Sequence, residues 1–224
     1  MLKTVTAGIS AGVLISIGGS VFLACPDNRY FGAIFFSVAL LSICYLGYYL
    51  YTGKIAYVVS DHSGKNCATL GVGLLANLVT TYLLGLLVRW AIPSLGERAE
   101  AVCDAKLAEG FGSCLVRAFF CGILMYLAVE IFREKKTPIG ILFGIPVFIL
   151  AGFEHSIADM FYFGCAACVK PDFLLFELGA VLGNSLGSVL LPLLAILGAF
   201  SSQKKDPAPE NEKTPEEGET SDEG

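Results

Sequence analysis

The sequence predicts an all-α membrane protein with six transmembrane helices, of which the second and the fifth are broken. Of its 224 residues, 55% are hydrophobic and 16% are charged, and the mean hydropathy is +0.69. A helix that crosses a bilayer needs about 20 apolar residues, and the chain has room for roughly six such stretches. Two of them are interrupted by glycines and polar groups, as in helices that line a cavity.

Span one covers about residues 4–24 and is too long for the apolar core of a signal peptide. Spans three, four and six cover about 68–91, 113–132 and 173–200, and a polar connection at 93–109 follows span three. Asn77, within span three, is interpreted as a packing contact or a hydrogen-bonding group between helices. Residues 1–202 therefore form one transmembrane domain. The Pro/Glu/Lys-rich tail, 203–224, is expected to be disordered.

Span two, about residues 30–59, is too long for one straight crossing. Its centre carries two glycines, Gly47 and Gly53, with Thr52 before the second. We interpret this stretch as a broken helix. The alternative is a tilted helix that ends near Tyr51 and is followed by an interfacial belt of aromatic residues.

Span five, about residues 145–168, carries the polar groups on which a function can rest. Glu154, His155 and Asp159 follow the helix-weakening Gly152 in the middle of the span. Ionisable groups at this depth are expensive and normally face a cavity or a partner. Because the two broken spans occupy equivalent places in two three-span halves, the pattern predicts an inverted repeat. Its binding site should lie where the breaks meet near the midplane.

The charge pattern predicts the topology. The tail from Asp206 holds eight acidic residues, which leaves 14 basic and 12 acidic residues in the body. This balance gives no indication of nucleic-acid binding. With six spans, one side carries seven of the loop lysines and arginines and the other carries three. The excess of positive charge on the first side predicts that both termini are cytoplasmic. The expected location of the protein is the inner or plasma membrane of the cell.

Two cysteines, Cys165 and Cys168, have the spacing of redox or metal sites. They lack a second pair and a nearby histidine in the sequence, so no metal or cofactor is predicted. A membrane-embedded thiol oxidoreductase that uses this pair stays open as a rival class. A neutral-solute channel is a further rival, although the sequence holds no paired Asn-Pro-Ala motifs.

Residues 151–160, Ala-Gly-Phe-Glu-His-Ser-Ile-Ala-Asp-Met, closely resemble the fifth-span signature of the formate/nitrite transporter family. Leu50-Tyr-Thr-Gly53 resembles the Leu-Phe-Thr loop of that family, and residues 11–17 and 183–184 are similar to its first and sixth spans. The resemblance implies an aquaporin-like fold of six spans, assembled as a homopentamer with one pore per protomer. It also implies that the chain is a transporter of small anions and not an enzyme.

The resemblance further implies which residues form the pore. The substrate pathway falls on His155 at its centre, with Leu50, Tyr51, Thr52 and Asn184. The apolar constrictions fall on Phe36, Leu40 and Phe148, and the electrostatic network on Lys106, Glu154 and Asp159. Three positions depart from the family pattern: Tyr51 stands for the commoner phenylalanine, Asp159 for asparagine, and Gly122 for another polar residue.

The residue types suggest how an anion would cross. Moving a carboxylate-sized ion into low dielectric costs of order 20 kcal/mol in the ideal case and several after relaxation. Protonating a weak acid whose pKa is near 3.9 costs roughly 4 kcal/mol at neutral pH, so passage as the neutral acid is cheaper.

Formate is the expected substrate, with nitrite and hydrosulfide as alternatives. His155 would hold the anion and assist its protonation, or serve as a neutral structural group. Lys106 would draw anions into the vestibules, although a structural pair with Glu154 is the preferred interpretation of its contact.

Overall fold

The computed structural model describes residues 1–203, with side chains through residue 198. This part of the chain is helical and contains no β-strand. Two 3-10 turns, Tyr51–Gly53 and Ile55–Val59, lie between the second and third helices. The eight α-helices are α1 (Leu2–Ala24), α2 (Arg29–Leu46), α3 (Gly64–Ala91), α4 (Pro93–Ala108), α5 (Gly110–Lys135), α6 (Ile139–Ala151), α7 (Ser156–Cys165) and α8 (Asp172–Gln203).

The helices confirm the prediction of six spans with a broken fifth. Five of them, α1, α2, α3, α5 and the Asp172–Gly198 part of α8, are long and apolar enough to cross a membrane. The sixth crossing is the pair of α6 and α7, which meet at an angle of 58° across a short break. This span begins at Ile139 rather than near residue 145, because the apolar run already starts after Pro138, whose carbonyl oxygen accepts the first hydrogen bonds of α6.

The second span is broken, and the alternative of one tilted helix ending near Tyr51 is wrong. Helix α2 ends at Leu46, and Gly47 follows with a φ of 69°. At this angle an L-residue is strained and glycine is not, which makes glycine the usual residue after a helix end. Gly152 ends α6 with a φ of 73°. The backbone N–H two residues beyond each helix end, on Tyr48 and on Phe153, donates to the carbonyl oxygen five residues before it. The two breaks thus have the same local construction.

The connection between spans three and four is the helix α4, which the sequence did not predict. Pro93 occupies its first turn, where the missing N–H is harmless. Its buried side chains, Leu95, Ala99 and Cys103, pack toward α7, and Arg89 of α3 pairs with its Glu100 at 2.7 Å. Helix α4 therefore brings Lys106 against the broken fifth span.

Two helix pairs approach so closely that their backbones touch, α5 with α8 and α3 with α7. A Cβ atom on Gly187 would overlap the carbonyl oxygen of Phe119, and one on Gly164 would overlap that of Tyr82. Gly122 also lies in the first contact, against the backbone of Asn184. The contact of α7 with α3 fixes the second half of span five against span three. The disorder predicted for the acidic tail concerns residues that, from 204 onward, lie outside the described part of the chain.

Candidate functional site

The break in span two is held by Asn77, a fully buried residue of α3. Its Oδ1 accepts a hydrogen bond from the backbone N–H of Tyr51 at 2.8 Å. Its Nδ2 donates to the carbonyl oxygens of Tyr49 and of Gly8 on α1, both at 2.9 Å. One side-chain amide therefore forms hydrogen bonds with a backbone N–H and a backbone carbonyl of the irregular segment, and links that segment to α1. The interpretation of Asn77 as a hydrogen-bonding group between helices is confirmed, with a more specific role than the sequence indicated.

The break in span five is held in the same way by Asn184 of α8. Its Oδ1 accepts from the backbone N–H of Ser156 at 2.9 Å, and its Nδ2 donates to the carbonyl oxygens of Glu154 at 2.8 Å and Ala118 at 2.9 Å. Both amide hydrogens are committed to backbone groups. Asn77 and Asn184 thus occupy matching places in the two halves, as an inverted repeat requires.

The two breaks meet where Thr52 and His155 contact each other. The Thr52 Oγ1 lies 2.9 Å from His155 Nε2, and both residues are buried. His155 is also the N-cap of α7, since its Nδ1 accepts the backbone N–H of Ala158 at 3.2 Å. A nitrogen that accepts carries no hydrogen, so the hydrogen of the neutral ring belongs on Nε2, which donates to Thr52. The same N–H also donates to the His155 carbonyl oxygen, at 2.9 Å, and its contact with Nδ1 favours this tautomer of the histidine.

Buried apolar side chains surround this contact. Phe148 stacks on the His155 ring with centroids 5.7 Å apart. Phe36, Leu40, Leu50 and Phe148 are each at most 3% exposed. Leu40 and Leu50 border one cavity, whereas Phe36, Phe148 and His155 border another. The predicted constriction residues are therefore divided between the linings of two cavities, and His155 borders the second of these cavities.

We call the cavity beside Leu40 and Leu50 vestibule 1 and the cavity beside His155 vestibule 2; each has a volume of about 290 Å³. The charged residues of vestibule 1 are Lys54, Arg133 and Lys136. Those of vestibule 2 are Arg29, Lys106, Arg117, Glu109, Glu154 and Asp159. The charged lining of vestibule 1 is therefore basic, although Arg133 also lies 3.9 Å from Glu130, whereas vestibule 2 carries as many acidic as basic groups.

Lys106 lies in the predicted network but does not supply a free positive charge. Its Nζ forms ion pairs with Glu154 and, at 2.9 Å, with Asp159. Two carboxylates thus share one ammonium group, and all three side chains are at most 15% exposed. The expectation that Lys106 makes the vestibules positive needs correction, because its neighbours compensate its charge. The basic lining of vestibule 1 comes from other residues.

Tyr51 and Thr52 border neither vestibule. The Tyr51 hydroxyl lies 2.8 Å from Ser185 Oγ on α8, and its backbone N–H is held by Asn77.

Sequence reasoning missed two charged residues near Glu154. Arg117 pairs with Glu109 at 2.7 Å and lies 3.8 Å from Glu154. Glu177 of α8 is 4% exposed. Both are ionisable groups inside apolar stretches, which is a signal the sequence does contain.

The cysteine pair does not have the features of a redox site. Cys165 and Cys168 are both buried, and neither forms a disulfide within the described residues. Reactive cysteines are thiolates in accessible, electropositive surroundings. Within residues 1–203 the structure also shows no group of three or more His, Cys, Asp or Glu side chains that could hold a metal ion.

Comparisons with known proteins agree on one family. The model of the family described as formate/nitrite transporter matches residues 1–198. The formate channel FocA of Escherichia coli K12 is 26% identical over 212 residues, which cover 82% of this chain and 73% of that protein. The uncharacterized transporter YrhG of Bacillus subtilis 168 is 28% identical over 196 residues, covering 78% and 72%. A solved structure described as a pentameric formate channel with formate bound aligns with a TM-score of 0.76 at 21% identity, over 89% of this chain and 97% of that one.

Proposed function

The chain belongs to the formate/nitrite transporter family, and on this basis we propose that it carries small monovalent anions of weak acids, formate first among them, across the membrane as the neutral acid. The observation that carries the proposal is the division of buried apolar side chains between two vestibules with charged linings, with the His155–Thr52 hydrogen bond between the two breaks. In the proposal these apolar side chains form a barrier between the vestibules. Nitrite and hydrosulfide are likewise small monovalent anions of weak acids, and they are the alternatives.

The barrier decides the form in which the substrate crosses. Phe36, Leu40, Leu50 and Phe148 offer no hydrogen-bonding side chains to replace the hydration shell of an ion. An ion in such surroundings loses several kcal/mol even after relaxation. Protonating formate, an acid whose pKa resembles that of Asp, costs roughly 4 kcal/mol at neutral pH. The anion therefore gathers in a vestibule, takes a proton there, and enters the barrier uncharged.

His155 acts in this scheme as a neutral hydrogen-bonding group and not as the proton donor. Protonation at Nδ1 would set a second N–H against the backbone N–H of Ala158, which now donates to that atom at 3.2 Å. The proton on the substrate comes instead from vestibule water. His155 Nε2 donates to Thr52 Oγ1, which leaves the threonine hydroxyl hydrogen to orient toward the substrate. Asn184 contributes by holding the start of α7, and with it His155, in place.

We propose a homopentamer with one pore in each protomer, since the aligned formate channel is described as pentameric. Many apolar side chains on α1, α2, α3, α5 and α8 are exposed and would face lipid or neighbouring protomers. The charge asymmetry of the loops favours cytoplasmic termini in a cell membrane. Vestibule 1, which contains Lys136 of the turn between α5 and α6, would then open to the cytoplasm.

The test separates the two contacts of the histidine. In His155→Asn, the shorter amide keeps an N-cap acceptor for Ala158, because asparagine is among the best capping residues, but it cannot reach Thr52. We expect an oligomer of nearly unchanged stability whose barrier is wider and admits an anion current. His155→Phe fills the barrier and loses both contacts. It should abolish flux and lose about 1 kcal/mol of stability.

The measurement is formate uptake alongside electrical current in proteoliposomes, at several pH values. Wild-type uptake should rise as the external pH falls toward the pKa of the acid and should move little net charge. Thr52→Ser keeps the hydroxyl and should conserve uptake, whereas Thr52→Val removes it at equal volume and should reduce uptake. His155→Asn with unchanged uptake, current and pH profile would leave His155 as a helix cap only. Competition by nitrite or hydrosulfide then ranks the substrates.

A further inference from the structure

The ion pairs around Lys106 contain more acid than base. Glu154 and Asp159 both contact Lys106, and Glu177 of α8 lies within electrostatic reach of all three. The nearby Arg117 is closer to its own partner, Glu109, at 2.7 Å than to Glu154 at 3.8 Å. Three carboxyl groups therefore lie near one ammonium group, which two of them already share. If every acid were ionised, this buried cluster would hold a net charge of about −2 inside the membrane.

The other titratable groups beside the cluster cannot balance this charge. They are thiols and a phenol, Cys103 on α4, Cys114 and Cys121 on α5, and Tyr162 on α7, together with His155, which the transport scheme treats as neutral. Thiols and phenols are uncharged near neutral pH. Within the described residues, the excess of acid is thus compensated by neither a cation nor a metal. The species that remains to neutralise a buried carboxylate is the proton.

Three carboxyl oxygens of this cluster mark where protons would reside; a fourth buried and unpartnered one, Glu109 Oε2, belongs to the pair with Arg117. Both oxygens of Glu177 are buried and have no hydrogen-bond partner in the described part of the protein. The Oδ2 of Asp159 is likewise buried and unpartnered, while its Oδ1 contacts Lys106. Asp159 and Glu177 are 2% and 4% exposed. Ionised carboxylates normally accept several hydrogen bonds, and a buried one without them is strongly disfavoured.

We propose that Asp159 and Glu177 form a proton-binding site beside vestibule 2, and that proton occupancy of Asp159 sets the charge of that vestibule. Asp159 borders vestibule 2. Glu177, on α8, borders neither vestibule. With Asp159 ionised, the vestibule has three basic and three acidic residues; with Asp159 protonated, it has one basic residue in excess. A proton taken up from vestibule water thus makes the vestibule attract anions.

This inference rests on the proposed anion transport only for its effect on flux, since the occupancy can be measured without transport. The measurement is infrared difference spectroscopy of the full-length protein in lipid, which detects the carbonyl stretch of protonated carboxyl groups. Near neutral pH, the wild type should show this band. Glu177→Gln and Asp159→Asn should each remove part of it. Asp104→Asn is the matched control, because Asp104 is an exposed acid on α4 paired with Lys170 at 2.8 Å.

Formate uptake gives the second readout. Asp159→Asn imitates the protonated state permanently, so uptake from the vestibule 2 side at alkaline pH should exceed that of the wild type. The increase should lie between about twofold and about fifteenfold, the range for one unit charge about 10 Å away at effective dielectric constants from about 80 to about 20. The pH dependence on that side should be flatter than in the wild type and in Asp104→Asn.

The two readouts keep the proposals apart. A wild type without the carbonyl band, or a band that both variants leave intact, overturns the proton site and leaves the transport proposal standing. Strong destabilisation by Glu177→Gln also overturns it, since an amide can replace a protonated carboxyl group but not a buried counter-ion. Bands that behave as expected, with no formate uptake by the wild type, support the proton site and refute the choice of formate.

Discussion

The sharpest structural prediction concerns the two asparagines that hold the breaks. Asn184→Ala removes three hydrogen bonds, to the backbone of Ser156, Glu154 and Ala118 at 2.8–2.9 Å. At about 0.5–1.5 kcal/mol each, the loss amounts to roughly 1.5–4.5 kcal/mol, and the orphaned backbone groups are buried. A chain of this size shifts its melting temperature by about 2–4 °C per kcal/mol. A central value of about 3 kcal/mol therefore predicts a decrease of about 6–12 °C.

The inverted repeat makes the prediction stricter. Asn77→Ala also removes three hydrogen bonds, to Tyr51, Tyr49 and Gly8 at 2.8–2.9 Å. The two variants should therefore lose similar stability, although they lie in different halves of the chain. Asn66→Ala is the control. Asn66 is a half-buried residue in the first turn of α3 whose side chain makes one hydrogen bond, from Nδ2 to the carbonyl oxygen of Asp61, so its removal should cost about 0.5–1.5 kcal/mol, well below the loss of three buried bonds.

The assay is the apparent melting temperature of the detergent-solubilised oligomer at one scan rate, because unfolding of such proteins is often irreversible. Asn184→Asp adds a second criterion. The aspartate keeps the acceptor for Ser156, but it turns an oxygen toward the carbonyls of Glu154 and Ala118, which Nδ2 now donates to. It should be at least as destabilising as alanine. The reasoning is refuted if Asn184→Asp matches the wild type, or if either alanine variant changes no more than Asn66→Ala.

Two further predictions use matched controls in the same melting assay. Lys106→Ala leaves Glu154 and Asp159 without their ammonium partner and should cost about 3–5 kcal/mol, whereas Lys170→Ala breaks an exposed pair and should be nearly neutral. Equal small losses would remove Lys106 from the buried network. Gly152→Ala places a Cβ at a φ of 73° and should cost about 1–2 kcal/mol. Gly64→Ala, in open space without positive φ, should be nearly neutral, and a similar loss at both positions would contradict the strain argument.

The number of spans, the positions of both breaks and the family could be predicted from the amino-acid sequence alone. Span length follows from bilayer thickness, so counting apolar residues suffices. The breaks could be located because Gly47 and Gly152 act locally, through a backbone angle that glycine adopts without strain. His155 was identified because a histidine in the middle of an apolar span is costly unless it faces a cavity or a partner. Each of these properties depends on neighbours in the chain.

The start of span five and the helix α4 were not predicted correctly from the sequence. Residues 93–108 lack a sustained apolar stripe, so their pattern indicates a polar connection. Their helix is stabilised by tertiary contacts, through Leu95, Ala99 and Cys103 against the core. Only the family resemblance assigned Lys106 to the functional site. The sequence did not show that two carboxylates would share its ammonium group.

The roles of the polar side chains became visible only in the folded chain. Asn77 and Asn184 lie 26 and 28 residues after the backbone N–H groups that they accept from, and they donate to helices in other parts of the chain. A hydrogen bond acts over about 3 Å, so its partner depends on which helices pack together and not on sequence spacing. Glu177 could not be identified from the sequence for the same reason. The significance of its unpartnered carboxyl group depends on Asp159 and Lys106, which lie on two other helices.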